Sequence, residues 1–313
     1  MKVIRNIKKI RSICSNLKNQ GCSIGFVPTM GYLHHGHLSL IERSVKECGS
    51  TIISVFVNPV QFGPGEDYEK YPRDLNRDTE LAGRSGADFV FYPDVQEMYG
   101  QDYKTFVSVR GPGSIMCGKS RPGHFDGVCT IVLKLFNIIN PDRAYFGRKD
   151  YQQMVIIKKM VKDLNLEVKI IDCPTVREAD GLAMSSRNKY LSQEQRSSAS
   201  VLYRSLVEAA SKIKKIKEEI FIRPETGKLS FLDRKALSPE DSEKLQDIKK
   251  SAVKQISDSG HKIQVDYFEF RNTENLDPVD DIKSFYLSNP EGRILIATAV
   301  RFGDTRLIDN IVI

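Results

Sequence analysis

The 313-residue chain contains no tryptophan and no long apolar run. Its longest apolar stretch, around Ile131, Val132 and Leu133, is broken by Lys134 and Asn137. No segment is therefore expected to span a bilayer. The six cysteines, Cys14, Cys22, Cys48, Cys117, Cys129 and Cys173, never fall two to four residues apart. That argues against a zinc site and for reduced thiols, several of them core fillers. No G-x-x-x-x-G-K-[ST] loop occurs, and no G-x-G-x-x-G follows the first strand, so the two commonest phosphate loops are absent. Lys8, Lys9 and Arg11 interrupt the N-terminus too early for a signal peptide, and a cytoplasmic location is expected. Internal repeats and low-complexity tracts are also lacking.

What is present is a modest positive charge, formally +7, spread along the chain. It favours an anionic partner, either a nucleotide phosphate or nucleic acid. Its densest part, Lys212, Lys214, Lys215 and Lys217, reads as a solvated helix face rather than a nucleic-acid patch.

Through about residue 175, strand and helix patterns alternate. Strands are expected at Ser23–Val27, Thr51–Val57, Asp88–Tyr92, Arg143–Phe146 and Glu167–Ile171. Helices are expected over Leu38 to Gly49, Leu75 to Gly86, Val128 to Ile139 and Tyr151 to Leu164. This alternation implies right-handed crossovers and a Rossmann-like α/β domain with a mostly parallel sheet, residues 1–175. The rest, 176–313, reads as a smaller α+β domain acting as a lid. It opens with a capping box, Ser192 to Gln195, and ends in three strands, Lys262–Phe270, Arg293–Val300 and Leu307–Ile313. A second helix should start at Ser238-Pro239. The polar segment 218–235 reads as an insertion or hairpin.

The most informative stretch runs from Phe26 to Leu38, between the first strong strand and its helix. It contains H-x-G-H: His34, Gly36 and His37. Helix N-termini favour phosphate, and ligands of open parallel sheets sit at the carboxyl ends of strands. Paired imidazoles there suit charge building on a departing pyrophosphate. A surface turn or a metal site are the alternatives; no nearby Cys or carboxylate completes a ligand set.

Six stretches in order, over essentially the whole chain, closely resemble the pantothenate synthetase family within the H-x-G-H nucleotidyltransferases. They are Pro28-Thr29-Met30-Gly31, Ser54 to Phe62, Tyr71-Pro72-Arg73-Asp74, Arg121 to Phe125, Pro141 to Gln153, and Leu182 to Asn188. The resemblance implies ATP-dependent joining of pantoate to β-alanine through a pantoyl adenylate, with Mg²⁺ on the ATP phosphates and no direct protein ligand. It implies an ATP site of Met30, Gly31, Tyr32, Leu33, His34, His35, Gly36, His37, Gly147, Arg148, Lys149, Asp150, Val176, Met184, Ser185, Ser186 and Arg187. Gln61 and Gln153 would hold pantoate, and Gln61 would also meet β-alanine. His37, with His34, Lys149 and Arg187, would be catalytic. A homodimer and small-molecule partners, with neither nucleic acid nor membrane, follow by the same resemblance.

Individually these residues have plainer readings. Asp150 and Gln153 could form a capping box, and Gln61 could be a loop amide. Arg121 and Asp78 could serve phosphate or Mg²⁺, with a direct metal bond from Asp78 disfavoured. Arg148 stands where the family usually has an acid. A different nucleotidyltransferase, with a basic acceptor pocket, and a nucleic-acid-binding protein are the competing functions.

Overall fold

The computed structural model describes the backbone of residues 1–222, 230–231 and 239–313, and the side chains of 1–220 and 243–313. The chain divides into two compact units. The first comprises Met1–Arg177 with Met184–Ser186, the second Glu178–Ala183 with Arg187–Ile313.

The first unit runs β1 (Lys2–Ile4), α1 (Ile7–Asn19), β2 (Ile24–Thr29), α2 (His35–Glu47), β3 (Ser50–Val55), α3 (Leu75–Arg84), β4 (Phe89–Phe91), α4 (Val95–Met98), α5 (Cys117–Ser120), α6 (His124–Ile139), β5 (Arg143–Gly147), α7 (Tyr151–Asp163) and β6 (Lys169–Cys173). The six strands form one parallel sheet in the order β1-β4-β3-β2-β5-β6. From β2 the chain builds outward in one direction through β3 and β4. From β5 it builds the other way. The reversal lies between β2 and β5, and there the connections leave a crevice at the carboxyl ends of the strands.

β2 is buried along nearly its whole length, as a central parallel strand must be. Its side chains alternate between two cores. Val27 packs with Leu40, Ile41, Ile53 and Val90 on the side of α2 and α3. Phe26 meets Phe136 of α6 edge to face, with centroids 6.4 Å apart. Burying each such aromatic or aliphatic side chain contributes about 1.5–3 kcal/mol. β1 adds an edge strand and α1 packs against α6 and β2; the strand–helix expectations included neither.

The second unit contains α8 (Gln193–Ala199), α9 (Val201–Ile220), β7 (Phe221–Ile222), β8 (Ser230–Phe231), α10 (Pro239–Ser257), β9 (Ile263–Asn272), α11 (Ile282–Ser288), β10 (Ile294–Phe302) and β11 (Thr305–Val312). Its main sheet is antiparallel, β11-β10-β9. Leu206, Ala209 and Ile213 of α9 and Leu245 and Ile256 of α10 pack with Phe268, Ile296 and Val300 of that sheet. The capping box is present: Gln195 N donates to Ser192 Oγ at 3.2 Å, and Ser192 N donates to Gln195 Oε1 at 3.0 Å. Lys214 and Lys215 lie on the solvent side of α9, opposite the buried Ile213, and Lys212 pairs with Glu208. β7 and β8 form a two-stranded antiparallel pair inside the expected insertion. Leu229 and the Ser238 cap lie outside the described residues. None of the six cysteines is in a disulfide, and Cys14, Cys117, Cys129 and Cys173 are buried. No described helix is long and apolar enough to cross a membrane.

Candidate active site

The turn after β2 is set by two consecutive residues with left-handed backbone. Gly31 has φ 84° and Tyr32 has φ 50°. Gly31 is required twice over: a Cβ there would lie 2.9 Å from both Asp78 Oδ2 and Val55 Cγ1. Thr29 Oγ1 donates to Ser54 O at 2.7 Å and accepts Gly31 N at 3.1 Å. The next two amides converge on one buried carboxylate. Tyr32 N donates to Asp78 Oδ2 at 2.8 Å, and Leu33 N to Asp78 Oδ1 at 2.7 Å. Burial raises the Asp78 carboxyl above its ordinary pKa, while the two amides and Arg77 oppose that rise. The Arg77 guanidinium lies over the Tyr32 ring, 4.8 Å from its centroid.

α2 then opens with an unusual capping box made of histidines. Gly36 N donates to His34 Nδ1 at 3.1 Å, and His34 N donates to His37 Nδ1 at 3.3 Å. A Cβ on Gly36 would come 2.9 Å from the His34 ring, so only glycine lets that ring fold back over the helix end. The two rings lie 4.1 Å apart. Amides can only donate, so both Nδ1 atoms are unprotonated and each neutral ring carries its proton on Nε2. The neutral form is favoured. Burial, with the nearby Lys149 charge, lowers the His34 pKa to about 4. Burial, His34 and Lys149 hold His37 well below the ordinary histidine value.

The helix end offers phosphate fewer amides than its sequence suggests. His37 N and Leu38 N both donate to His34 O, and Gly36 N is taken by the His34 ring. With Gly31, Tyr32, Leu33 and His34 N also engaged, the backbone donors of this turn are largely used internally. What the turn can present to an anion is the field of the α2 dipole and two imidazole Nε2–H groups.

β5 delivers the second half. It ends at Gly147, and a tight turn, Arg148–Asp150, leads into α7. The Lys149 charge reaches both His34 and His37, so β2 and β5 bring these three groups to the same end of the crevice. Lys149 Nζ lies 3.6 Å from Asp150 Oδ1. Arg148 is turned to Asp172, with Nε 2.6 Å from Oδ2. The segment Met184–Ser186 belongs to this unit as well. Met184 N donates to Val176 O at 3.0 Å, and Ser186 Oγ to Tyr32 O at 3.4 Å. A Cβ on Gly36 would lie 4.0 Å from Met184 Cβ. Arg187, the next residue, groups with the second unit.

Gln61 is buried at the end of a short turn, Pro59–Gln61. Its Nε2 lies 2.9 Å from Met30 Sδ, and its Oε1 accepts Asn58 Nδ2 at 3.2 Å. Asn58 is fully buried; its Nδ2 also donates to Gly127 O, and Tyr99 OH donates to its Oδ1. The backbone carbonyl of Gln61 is held from the other side. His124 Nδ1 lies 2.8 Å from Gln61 O, and Arg121 Nη1 lies 2.9 Å from His124 Nε2. Arginine only donates, so His124 accepts at Nε2 and donates from Nδ1. Arg121 also forms a two-pronged pair with Glu66, at 2.7 and 2.6 Å. Burial works against the Glu66 charge, but Arg121 outweighs it and holds the carboxyl below its ordinary pKa.

Gln153 is half-buried in the first turn of α7. Asp150 makes no side-chain cap bond, so the capping-box reading of this pair fails. The adjacent Gln152 is the structural amide: it accepts Cys117 N and donates to Pro112 O and Ile115 O. Asp78, a weak phosphate or metal candidate in the sequence, instead has both oxygens on the backbone of the turn. In the sequence Asn58 marks only the end of a strand; an Asn-Pro followed two residues on by Gln is the signal that could have singled it out.

A family model described as pantoate-beta-alanine ligase matches residues 2–312. The pantothenate synthetase of Caldicellulosiruptor bescii is 51% identical over 313 residues, 100% of this chain and 99% of that protein. The crystal structure of the Thermus thermophilus pantothenate synthetase superposes with a TM-score of 0.80 at 40% identity, covering 99% of each chain. The pantoate-beta-alanine ligase of Francisella tularensis, solved in complex with beta-gamma ATP and β-alanine, gives 0.70 at 34% identity, covering 99% of this chain and 97% of that one. On both sequence and fold, the chain belongs to the pantoate-beta-alanine ligase family.

Proposed function

We propose that this ligase activates the carboxylate of pantoate with ATP as a pantoyl adenylate, which the amine of β-alanine then opens to give pantothenate. The observation that carries the site assignment is that neighbouring strands β2 and β5, between which the strand order reverses, lead directly into His34 and His37 and into Lys149, whose charge acts on both imidazoles.

In the first step a pantoate carboxylate oxygen attacks the α-phosphorus of ATP. The bond to the β-phosphate oxygen breaks and pyrophosphate leaves. No enzyme nucleophile is needed, so positioning and charge neutralisation carry the reaction. His34 and His37 donate from Nε2 to phosphate oxygens as charge builds, His37 the more critical. Lys149 supplies a point charge and Arg187 a fork. Ser185 adds a hydroxyl, and Ser186 would add one by turning its proton from Tyr32 O to phosphate. Gly147 gives the nucleotide room, since a Cβ there would meet nothing within 4 Å. Gln61 and Gln153 orient pantoate without adding charge. In the second step the β-alanine nitrogen attacks the acyl carbon, AMP leaves, and a proton is lost from nitrogen. The mixed anhydride hydrolyses if wet, which is the chemical ground for the reading of residues 176–313 as a lid.

Mg²⁺ bound with the triphosphate would supply charge neutralisation there. Asp78 does not suit a direct ligand, since both of its oxygens hold amides. Among the described residues no group of three or more His, Cys, Asp and Glu side chains gathers as a metal site. A homodimer and a cytoplasmic location belong to the same reading, on family grounds.

The test is isotopic. With pantoate labelled by ¹⁸O in its carboxylate, one label should appear in AMP. AMP free of label would rule out the acyl adenylate.

A further inference from the structure

Asp78 is a buried carboxylate that the proposed chemistry does not use. It is 1% exposed and comes from α3, more than forty residues from the turn it holds. Two successive amides of this turn, Tyr32 N and Leu33 N, converge on one point and form a concave anion-binding nest of the kind that elsewhere cups phosphate. Here the protein fills it with its own anion. Tyr32 is held at φ 50°, a backbone region that a bulky side chain enters only under constraint.

We propose that Asp78 is a positioning residue for the nucleotide: its carboxylate occupies the nest beneath Gly31 and Tyr32 and fixes the turn that aims His34 and His37 at the triphosphate. This rests on the ATP-site reading above. Three observations support it. Each carboxylate oxygen accepts one amide of the turn, so Asp78 ties both peptide groups to α3 at once. The turn is braced from its other side by Thr29, whose hydroxyl links Gly31 N to Ser54 O of β3. Both oxygens accept amide N–H groups, as an ionised carboxylate does, although burial works against that charge. A carboxylate kept there at that cost, bonded only to the turn and flanked by Arg77, has the turn's geometry as its effect.

The decisive variant is Asp78→Asn. Its Oδ1 can accept one amide, but its Nδ2 meets the other amide donor to donor. The probe is a non-hydrolysable ATP analogue with Mg²⁺, titrated calorimetrically in the full chain, with pantoate titrated separately. Losing one charge-assisted bond and opposing the second should weaken the ATP analogue about tenfold or more. Pantoate binding should stay within about threefold, and Asp78→Glu should recover part of the nucleotide affinity. A merely structural role would weaken both ligands together. If Asp78→Asn melts below the assay temperature, Gly31→Ala carries the test, since its Cβ presses on the same carboxylate from the turn side. Unchanged analogue affinity in the variant, or equal losses for both ligands, would overturn the proposal alone. A wild-type chain that binds no analogue would overturn the ATP-site reading and the proposal with it.

Discussion

His34 and His37 stack at 4.1 Å, and each gives its Nδ1 to a backbone amide, so one capping box fixes the tautomer of both rings. The sequence feature H-x-G-H is therefore a local folding device as well as a chemical one. The spacing of three puts His37 at the third helical position, where a capping box draws its return bond.

Replacing His37 by Ala removes a phosphate donor and half of that box. Adenylation in single-turnover measurements should fall about 10²–10³-fold. The loss of the cap should cost about 0.5–2 kcal/mol in denaturant unfolding. A variant that loses the stability but keeps the rate would reduce His37 to a cap.

The His34 shift makes a pH prediction. Its folded pKa, about 4, lies below the ordinary value near 6.5. Between those values the unfolded chain binds more protons than the folded one. Stability from this group is full above about pH 6.5 and falls as pH drops towards 4. Melting temperature should decline by a few degrees from pH 6.5 to 4.5. His34→Asn should flatten that decline; an unchanged slope would assign it to other groups.

Gly127 tests the pantoate side. A Cβ there would sit 2.5 Å from Val60 O and 2.6 Å from Gln61 N and Cα. Gly127→Ala should cost about 1–3 kcal/mol and raise the KM for pantoate more than that for ATP. Gln61→Ala should show the same ordering with little loss of stability. Steady-state kinetics of both variants, with chemical denaturation, check the pair; a larger effect on ATP would reassign Gln61.

Arg148 should be nearly neutral for ATP. Its guanidinium is 41% exposed and engaged by Asp172. Despite burial, Arg148 and Lys158 keep that carboxyl below its ordinary pKa. An exposed pair of this kind contributes about 0–1 kcal/mol. Arg148→Gln should leave the KM for ATP within about threefold. A tenfold change would return the cation to the nucleotide site.

The parallel sheet was legible because β2, β3 and β5 are apolar runs separated by amphipathic helices. β1 was not, because it is three residues long at an edge and buries only Ile4. α1 was legible in principle, since Ile7, Ile10, Cys14 and Leu17 recur at helical spacing, although only Ile10 and Cys14 are fully buried. α6 starts at His124, four residues before the expected Val128, because Gly123 at φ 79° turns the chain directly into it. The paired histidines could be picked out from type and position; Lys149 came only with the family resemblance. The use of the turn's amides could not, because the partner of Tyr32 and Leu33 lies on another helix. Asn58 offered only its Asn-Pro pattern ahead of Gln61; its importance comes from the convergence of Gln61, Gly127 and Tyr99.

The central claim is that a carboxylate attacks ATP in this crevice before any amine is involved. ATP–pyrophosphate exchange measures that step alone. The expected result is exchange that requires pantoate and Mg²⁺, proceeds without β-alanine, and is lost in His37→Ala. Exchange indifferent to pantoate, or dependent on β-alanine, would contradict it.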